Sequence, residues 1–150
     1  MERNVKSDGS IKSIFRIKKN KTLKRPLIGN KISAGFPSPA EDYIEATLDL
    51  NEHLIAHPEA TFIVRVEGYS MINAGIMSDD ILIVDRALKP KHKDIIIAVY
   101  DGELTVKRLI IRNEKWFLVP ENDEYEEIEI DNDSDFQVWG VVTYTIHKTK

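Results

Sequence analysis

The pattern of apolar residues changes character along this chain. Up to residue 31 apolar positions are scattered among Lys, Ser, Asn and Gly. Ile11, Ile14, Phe15 and Ile17 make one local patch, short enough to be helical or extended. The pattern predicts a mobile arm with a stop at Pro26 and Gly29. The next stretch, Ser33-Ala34-Gly35-Phe36-Pro37-Ser38-Pro39-Ala40, combines small residues, Gly and two prolines. Such a run settles into neither a helix nor a central strand, which predicts an exposed, extended linker. Residues 43–57 read as a turn into one short helix, with Leu50, Leu54 and Ile55 on one face and Pro58 just past its end. Beyond it, branched and aromatic residues concentrate in short runs at 61–66, 81–84, 95–100 and 104–111, with further runs at 116–119, 127–130 and 136–146. Asp101-Gly102 between two of them is a hairpin signal. Short strands separated by turns predict a mostly β domain over about 60–147.

At 150 residues the chain has room for one domain with its own core plus a tail. It has no cysteine, which excludes disulfides, thiolate metal sites and a thiol nucleophile. No apolar run approaches the roughly 20 residues that span a bilayer, and the first residues lack a signal-peptide core. A soluble, cytoplasmic protein without a membrane partner is therefore expected. The net charge of −4 conceals a division. Residues 1–34 carry ten Lys or Arg against Glu2 and Asp8, a net of +8, leaving −12 on the remaining 116. A basic arm on an acidic body can be solvated, fold back on the body or meet an acidic partner. It is too short and irregular for a helix-turn-helix, so direct DNA binding is not expected.

Two features carry candidate chemistry. In Val66-Glu67-Gly68-Tyr69-Ser70-Met71 a strand runs into Gly68, which permits a sharp turn that can lift the Ser70 hydroxyl out of the sheet. Serine needs a base to become a nucleophile, and alone this motif is most often only a turn. The second feature is Lys107 within an apolar strand, where alternation sets Thr105, Lys107, Leu109 and Ile111 on one face. Desolvation there disfavours the ammonium and would leave a neutral amine able to take a proton. The competing reading is a lysine snorkelling from a strand edge. His53, His57, His92 and His147 show no metal-ligand spacing, and no phosphate-binding glycine loop is present. No cofactor or metal is expected. The acidic run Glu121, Asp123, Glu124, Glu126 and Glu127 reads as a solvated face, with the basic arm as its other possible partner.

The order of these features matches a known pattern. It comprises Ala34-Gly35-Phe36-Pro37-Ser38-Pro39-Ala40 with Asp42-Tyr43, Asp49-Leu50-Asn51, His57-Pro58 and Gly68-Tyr69-Ser70-Met71-Ile72. It continues through Leu82-Ile83-Val84-Asp85, Asp101-Gly102-Glu103 with Thr105-Val106-Lys107, and Trp139-Gly140-Val141-Val142. Over about residues 33–146 the chain resembles the UmuD family of SOS-mutagenesis proteins, within the LexA-like self-cleaving serine/lysine peptidases. The resemblance implies a compact LexA/UmuD-like fold, mostly β, with one short helix and a flexible N-terminal arm. It implies an arm over 1–34 removed by self-cleavage, a linker and short helix over 35–59, and a β peptidase-like domain over 60–150. Ser70 would attack the carbonyl carbon of Ala34, Lys107 would take the serine's proton and return it to the amine of Gly35, and the backbone N–H groups of Tyr69 and Ser70 would hold the oxyanion. Control by a RecA–single-stranded-DNA filament, a homodimer of the shortened product and a Y-family DNA polymerase partner are also implied. The alternatives are a non-enzymatic UmuD-like subunit that binds a polymerase, and a LexA-type or phage-type repressor fragment. The sequence departs from the family pattern at its longer arm, at Tyr69 where Asp is common, and at Asp79-Asp80, which lacks the usual glycine before a strand.

Overall fold

The branched and aromatic runs become strands in this computed structural model, which describes residues 6–17, 24–28 and 44–150. In chain order these are β1 (Ile11–Arg16), β2 (Lys24–Ile28), β3 (Ile44–Asp49), helix α1 (Leu50–Leu54), β4 (Thr61–Val66), β5 (Ile81–Asp85), β6 (Ile95–Tyr100), β7 (Glu103–Arg112), β8 (Lys115–Val119), β9 (Ile128–Ile130) and β10 (Phe136–Ile146). Eight of them form one antiparallel sheet in the order β1-β4-β5-β10-β6-β7-β8-β9. These eight lie in one compact unit, while β2, β3 and α1 lie in a second, 18–56. The mostly β fold with one short helix is thus as the pattern indicated.

The large sheet buries apolar residues on both faces, which explains why its central strands read as unbroken hydrophobic runs. In β6, Ile97 joins a core with Val64, Val66, Met71, Leu82 and Val106. Its neighbours Ile96 and Ala98 point the other way into a core with Leu109, Leu118 and Val141. The sheet also curls. Ser7, just ahead of β1, bridges to Leu104 in parallel, with Asp8 N–H donating to Leu104 O and Leu104 N–H donating to Lys6 O, both at 3.0 Å. The segment before β1 therefore meets β7.

Turn chemistry sets the hairpins. Asp101 and Gly102 have φ of 49° and 78° between paired Tyr100 and Glu103, the left-handed pair that a two-residue hairpin requires. Asn113 and Glu114 repeat it between β7 and β8 with φ of 50° and 65°, although Glu gives little sequence signal for such a turn. Gly140 answers a different need. A Cβ there would stand 2.6 Å from Val84 Cγ1, so close packing of β10 on β5 admits glycine.

Three local readings change. The apolar patch in the arm takes its extended form, as β1 paired along β4 with Ile11 and Ser13 buried. Pro26 does not stop the chain. It sits inside β2 opposite Thr47, in a two-stranded ribbon where each strand is an edge and a missing N–H is tolerated. The turn expected before the helix is the strand β3, and α1 is only five residues long. Asp49 caps α1 by accepting from Asn51 N–H at 2.9 Å. Residues 33–40, with Ala34 and Gly35, lie outside the described residues.

Candidate active site

Ser70 is placed by the crossing from β4 to β5. Val66 N–H donates to Asp80 O and Asp79 N–H donates to Val66 O, each at 2.9 Å, which closes the loop between the strands at its neck. Asp79 takes φ of 70°, the left-handed conformation for which glycine would be easier. Inside the loop Gly68 turns the chain with φ of 81°, and its N–H donates to Ser78 Oγ at 3.1 Å. Met71 and Ile76, each 1% exposed, anchor the far side of the loop in the core. Ser70 is held between these fixed points and is itself buried. Its Oγ makes no hydrogen bond to another described residue, and the N–H groups of Tyr69 and Ser70 likewise have no acceptor among them.

A second set of contacts steadies this turn from the segment between β8 and β9. Asn122, also buried, donates from Nδ2 to Tyr69 O at 2.8 Å and accepts from Glu124 N–H at 2.9 Å. Glu121 O accepts from Asn73 N–H at 2.8 Å. The Glu121 carboxylate pairs with Arg108, and Glu127 pairs with Arg112. The acidic run is therefore not uniformly a solvated face: its first member, Glu121, together with the neighbouring Asn122, ties the serine turn to β7.

Lys107 lies on the face of β7 that alternation assigned to it. Thr105 and Lys107 are buried and Leu109 enters the second core, while Val106 faces the first. The Lys107 Nζ donates to Thr105 Oγ1 at 2.6 Å, to Val106 O at 3.1 Å and to Asp8 Oδ2 at 3.2 Å. No hydrogen bond joins Lys107 to Ser70. The two nevertheless line one cleft of about 470 Å³, together with Asp8, Gly9, Ser10 and Tyr69.

Asp8 was not among the residues anticipated here. Its carboxylate also accepts from Thr105 Oγ1 and from Ser10 Oγ, both at 2.5 Å, and from Ser10 N–H at 3.0 Å. Burial opposes its ionisation, but the hydrogen bonds from Ser10 and Thr105 and the positive charge of Lys107 outweigh that and hold its carboxyl below the usual aspartate value. The only sequence signal was that Asp8 is one of two acidic residues in a basic arm. Asn122 gave no signal beyond its place in a polar loop.

The histidines work as local polar partners. His57 Nδ1 lies 2.6 Å from Asp85 Oδ2, His147 Nδ1 lies 2.6 Å from Asp80 Oδ1, and His92 Nδ1 accepts from Ile111 N–H at 2.9 Å. Among the described residues no group of His, Asp or Glu has the arrangement of a metal site, and no helix is long and apolar enough to cross a membrane.

Comparison with known proteins gives a consistent picture. The chain matches the Peptidase S24-like family over residues 26–143. It is 48% identical over 128 residues to Protein ImpA of Escherichia coli, covering 84% of this chain and 86% of that protein. Protein SamA of Salmonella typhimurium is 47% identical over 125 residues, with 83% and 86% covered, and Protein MucA of Escherichia coli is 42% identical over 122 residues, with 81% and 83% covered. The LexA repressor of Aeromonas hydrophila is 39% identical over 106 residues, 71% of this chain and half of the repressor.

Proposed function

This chain belongs to the peptidase S24-like family, in its UmuD-type branch, and on that premise we propose that it is a self-cleaving serine peptidase of the SOS response that cuts between Ala34 and Gly35. The observation that carries the reading is one cleft shared by a buried serine at a strand-end turn and a buried lysine from a neighbouring part of the same sheet. Ser70 Oγ attacks the Ala34 carbonyl carbon while Lys107 Nζ, in its neutral form, takes the hydroxyl proton. The negative oxygen that forms is held by the N–H groups of Tyr69 and Ser70, which carry no competing acceptor among the described residues. Lys107 returns the proton to the Gly35 amine as the bond breaks, and water then releases the acyl group from Ser70. Tethering substrate and catalyst in one chain supplies a high effective concentration, so a slow catalyst suffices once the segment docks.

A RecA–single-stranded-DNA filament is the expected stimulus, acting by favouring the docked state. The product 35–150 is expected to work in the cytoplasm as a homodimeric subunit of a Y-family DNA polymerase. The test incubates purified protein across neutral to alkaline pH, with and without the filament, and reads new N-termini by mass spectrometry. A fragment beginning at Gly35 should form faster as pH rises, and should be absent from Ser70→Ala and Lys107→Ala chains that remain folded. A protein that stays intact under all these conditions would instead be a non-enzymatic binding subunit.

A further inference from the structure

The cleft that this function requires is walled on one side by a piece of the same chain. Residues 6–8 pair with Leu104 at the start of β7, and Glu67 N–H donates to Ser10 O at 3.0 Å. Ser10 Oγ accepts from Val106 N–H at 3.1 Å, next to the lysine. Gly9 lies beside the serine turn, with its carbonyl oxygen 3.8 Å from where a Cβ on Gly68 would stand, an ordinary packing distance. Strand β1 then continues along β4 and buries Ile11 at 2% exposure. At the centre of the segment the Asp8 carboxylate meets the Lys107 ammonium.

We propose that residues 7–16 are a built-in inhibitor strand: they wall the cleft that the cleavage segment must enter, and the Asp8 carboxylate engages the Lys107 Nζ that must serve as base. The inference rests on the serine/lysine reading above and adds its control. A carboxylate beside an amine favours the charged form, and a charged amine cannot accept the serine's proton. Against the opposing effect of burial, the Asp8 carboxyl is held low mainly by hydrogen bonds from Ser10 and Thr105, with the charge of Lys107 adding to them. The remaining ionisable groups that face the cleft are Glu67 and Tyr69 from the serine turn and Tyr125 and Glu126 from the segment before β9. None of these four bonds Lys107, and Ile96, opposite Lys107 on β6, is apolar. Activation then requires the strand to leave, and any stimulus that peels it off both widens the cleft and frees the base.

The test uses the full-length protein and two readouts. Self-cleavage is followed near neutral pH in the natural chain, Asp8→Asn and Ser70→Ala. Acetylation of Lys107 by trace acetic anhydride is followed against pH by peptide mass spectrometry in Ser70→Ala and in Asp8→Asn/Ser70→Ala. Removing the charge should speed formation of the Gly35 fragment about tenfold. Lys107 labelling should accelerate by a similar factor. Equal labelling in the two chains, or an Asp8→Asn chain cut no faster than the natural one, would overturn the inhibitor strand. Failure of the peptidase reading looks different: either nothing is cut at any pH, or Ser70→Ala is cut as well. In that event the labelling comparison still decides whether Asp8 locks the lysine.

Discussion

Ser70 sits where three independent constraints meet: a left-handed Gly68 before it, the buried Met71 after it and a side-chain amide from Asn122 on the preceding carbonyl. The first two set where the chain goes. The third sets how the Tyr69–Ser70 peptide plane is turned, because an acceptor bond to Tyr69 O fixes the direction of the N–H on the other side of that plane. That N–H belongs to Ser70 and is one of the two proposed oxyanion donors. Asn122 is thus a positioning residue that touches neither the proposed nucleophile's hydroxyl nor the base. Replacing it by Ala leaves Tyr69 O with only the longer bond from Ile72 N–H at 3.3 Å, for a loss of about 1 kcal/mol in stability. Self-cleavage of Asn122→Ala should fall by about tenfold with an unchanged pH dependence, since the lysine's own contacts are untouched. Thermal melting and a pH–rate series check both halves, and a shifted pH profile would show that Asn122 acts through Lys107 instead.

At the scale of elements the informative strand is β1. It pairs well and buries Ile11, yet it also buries the Ser13 hydroxyl, which has no hydrogen-bond partner among the described residues. An orphaned hydroxyl of this kind costs about 1–3 kcal/mol, so β1 is held less firmly than its pairing alone would suggest. Its hold has a pH dependence with a definite sign. Because the folded-state value of Asp8 lies below that of an unfolded aspartate, about 3.9, its contribution is complete above about pH 4 and is lost as pH falls through the depressed value. In a Ser70→Ala background, adding Asp8→Asn should cost about 1 kcal/mol of stability near pH 7, discounted for partial exposure, and the cost should shrink as pH falls below about 4 and be gone below the depressed folded value. Denaturant titrations of the two chains at the two pH values measure it. The same strand marks the limit of what the sequence discloses. Strands 61–66, 95–100 and 136–146 were legible because each has branched residues buried or partly buried against neighbours that any mostly β fold would provide. The serine turn and the alternation around Lys107 were legible for equally local reasons. β1 and Asp8 were not, because their fit depends on partners about 50 and 100 positions away: Ile11 pairs with Val66 and Asp8 reaches Lys107. No local period can encode such a match, and the basic residues around the patch argued for solvation.

For the molecule as a whole, cleavage after residue 34 would remove a strand from a finished sheet. β4 pairs with β1 on one side and β5 on the other, so loss of β1 turns β4 into an edge and leaves seven strands. The core that Ile11 shares with Val64, Val66 and Met71 loses its cover at the same time, worth about 1.5–3 kcal/mol for one large aliphatic side chain. An exposed edge strand and an uncovered apolar row together would form a template for another chain, which gives a physical reason for a shortened product to bind a partner along β4. The shortened product, freed of residues 1–34, should melt several degrees below full-length Ser70→Ala, given about 2–4 °C per kcal/mol for a chain of this size. Amide exchange should accelerate across β4 but not across β6, whose neighbours β10 and β7 both remain. Hydrogen exchange by mass spectrometry on the two proteins makes the comparison directly. Equal protection of β4 in both, with residues 1–34 shown by mass to have departed, would mean that β4 is covered by something other than β1, and the strand's role as a removable cover would fall.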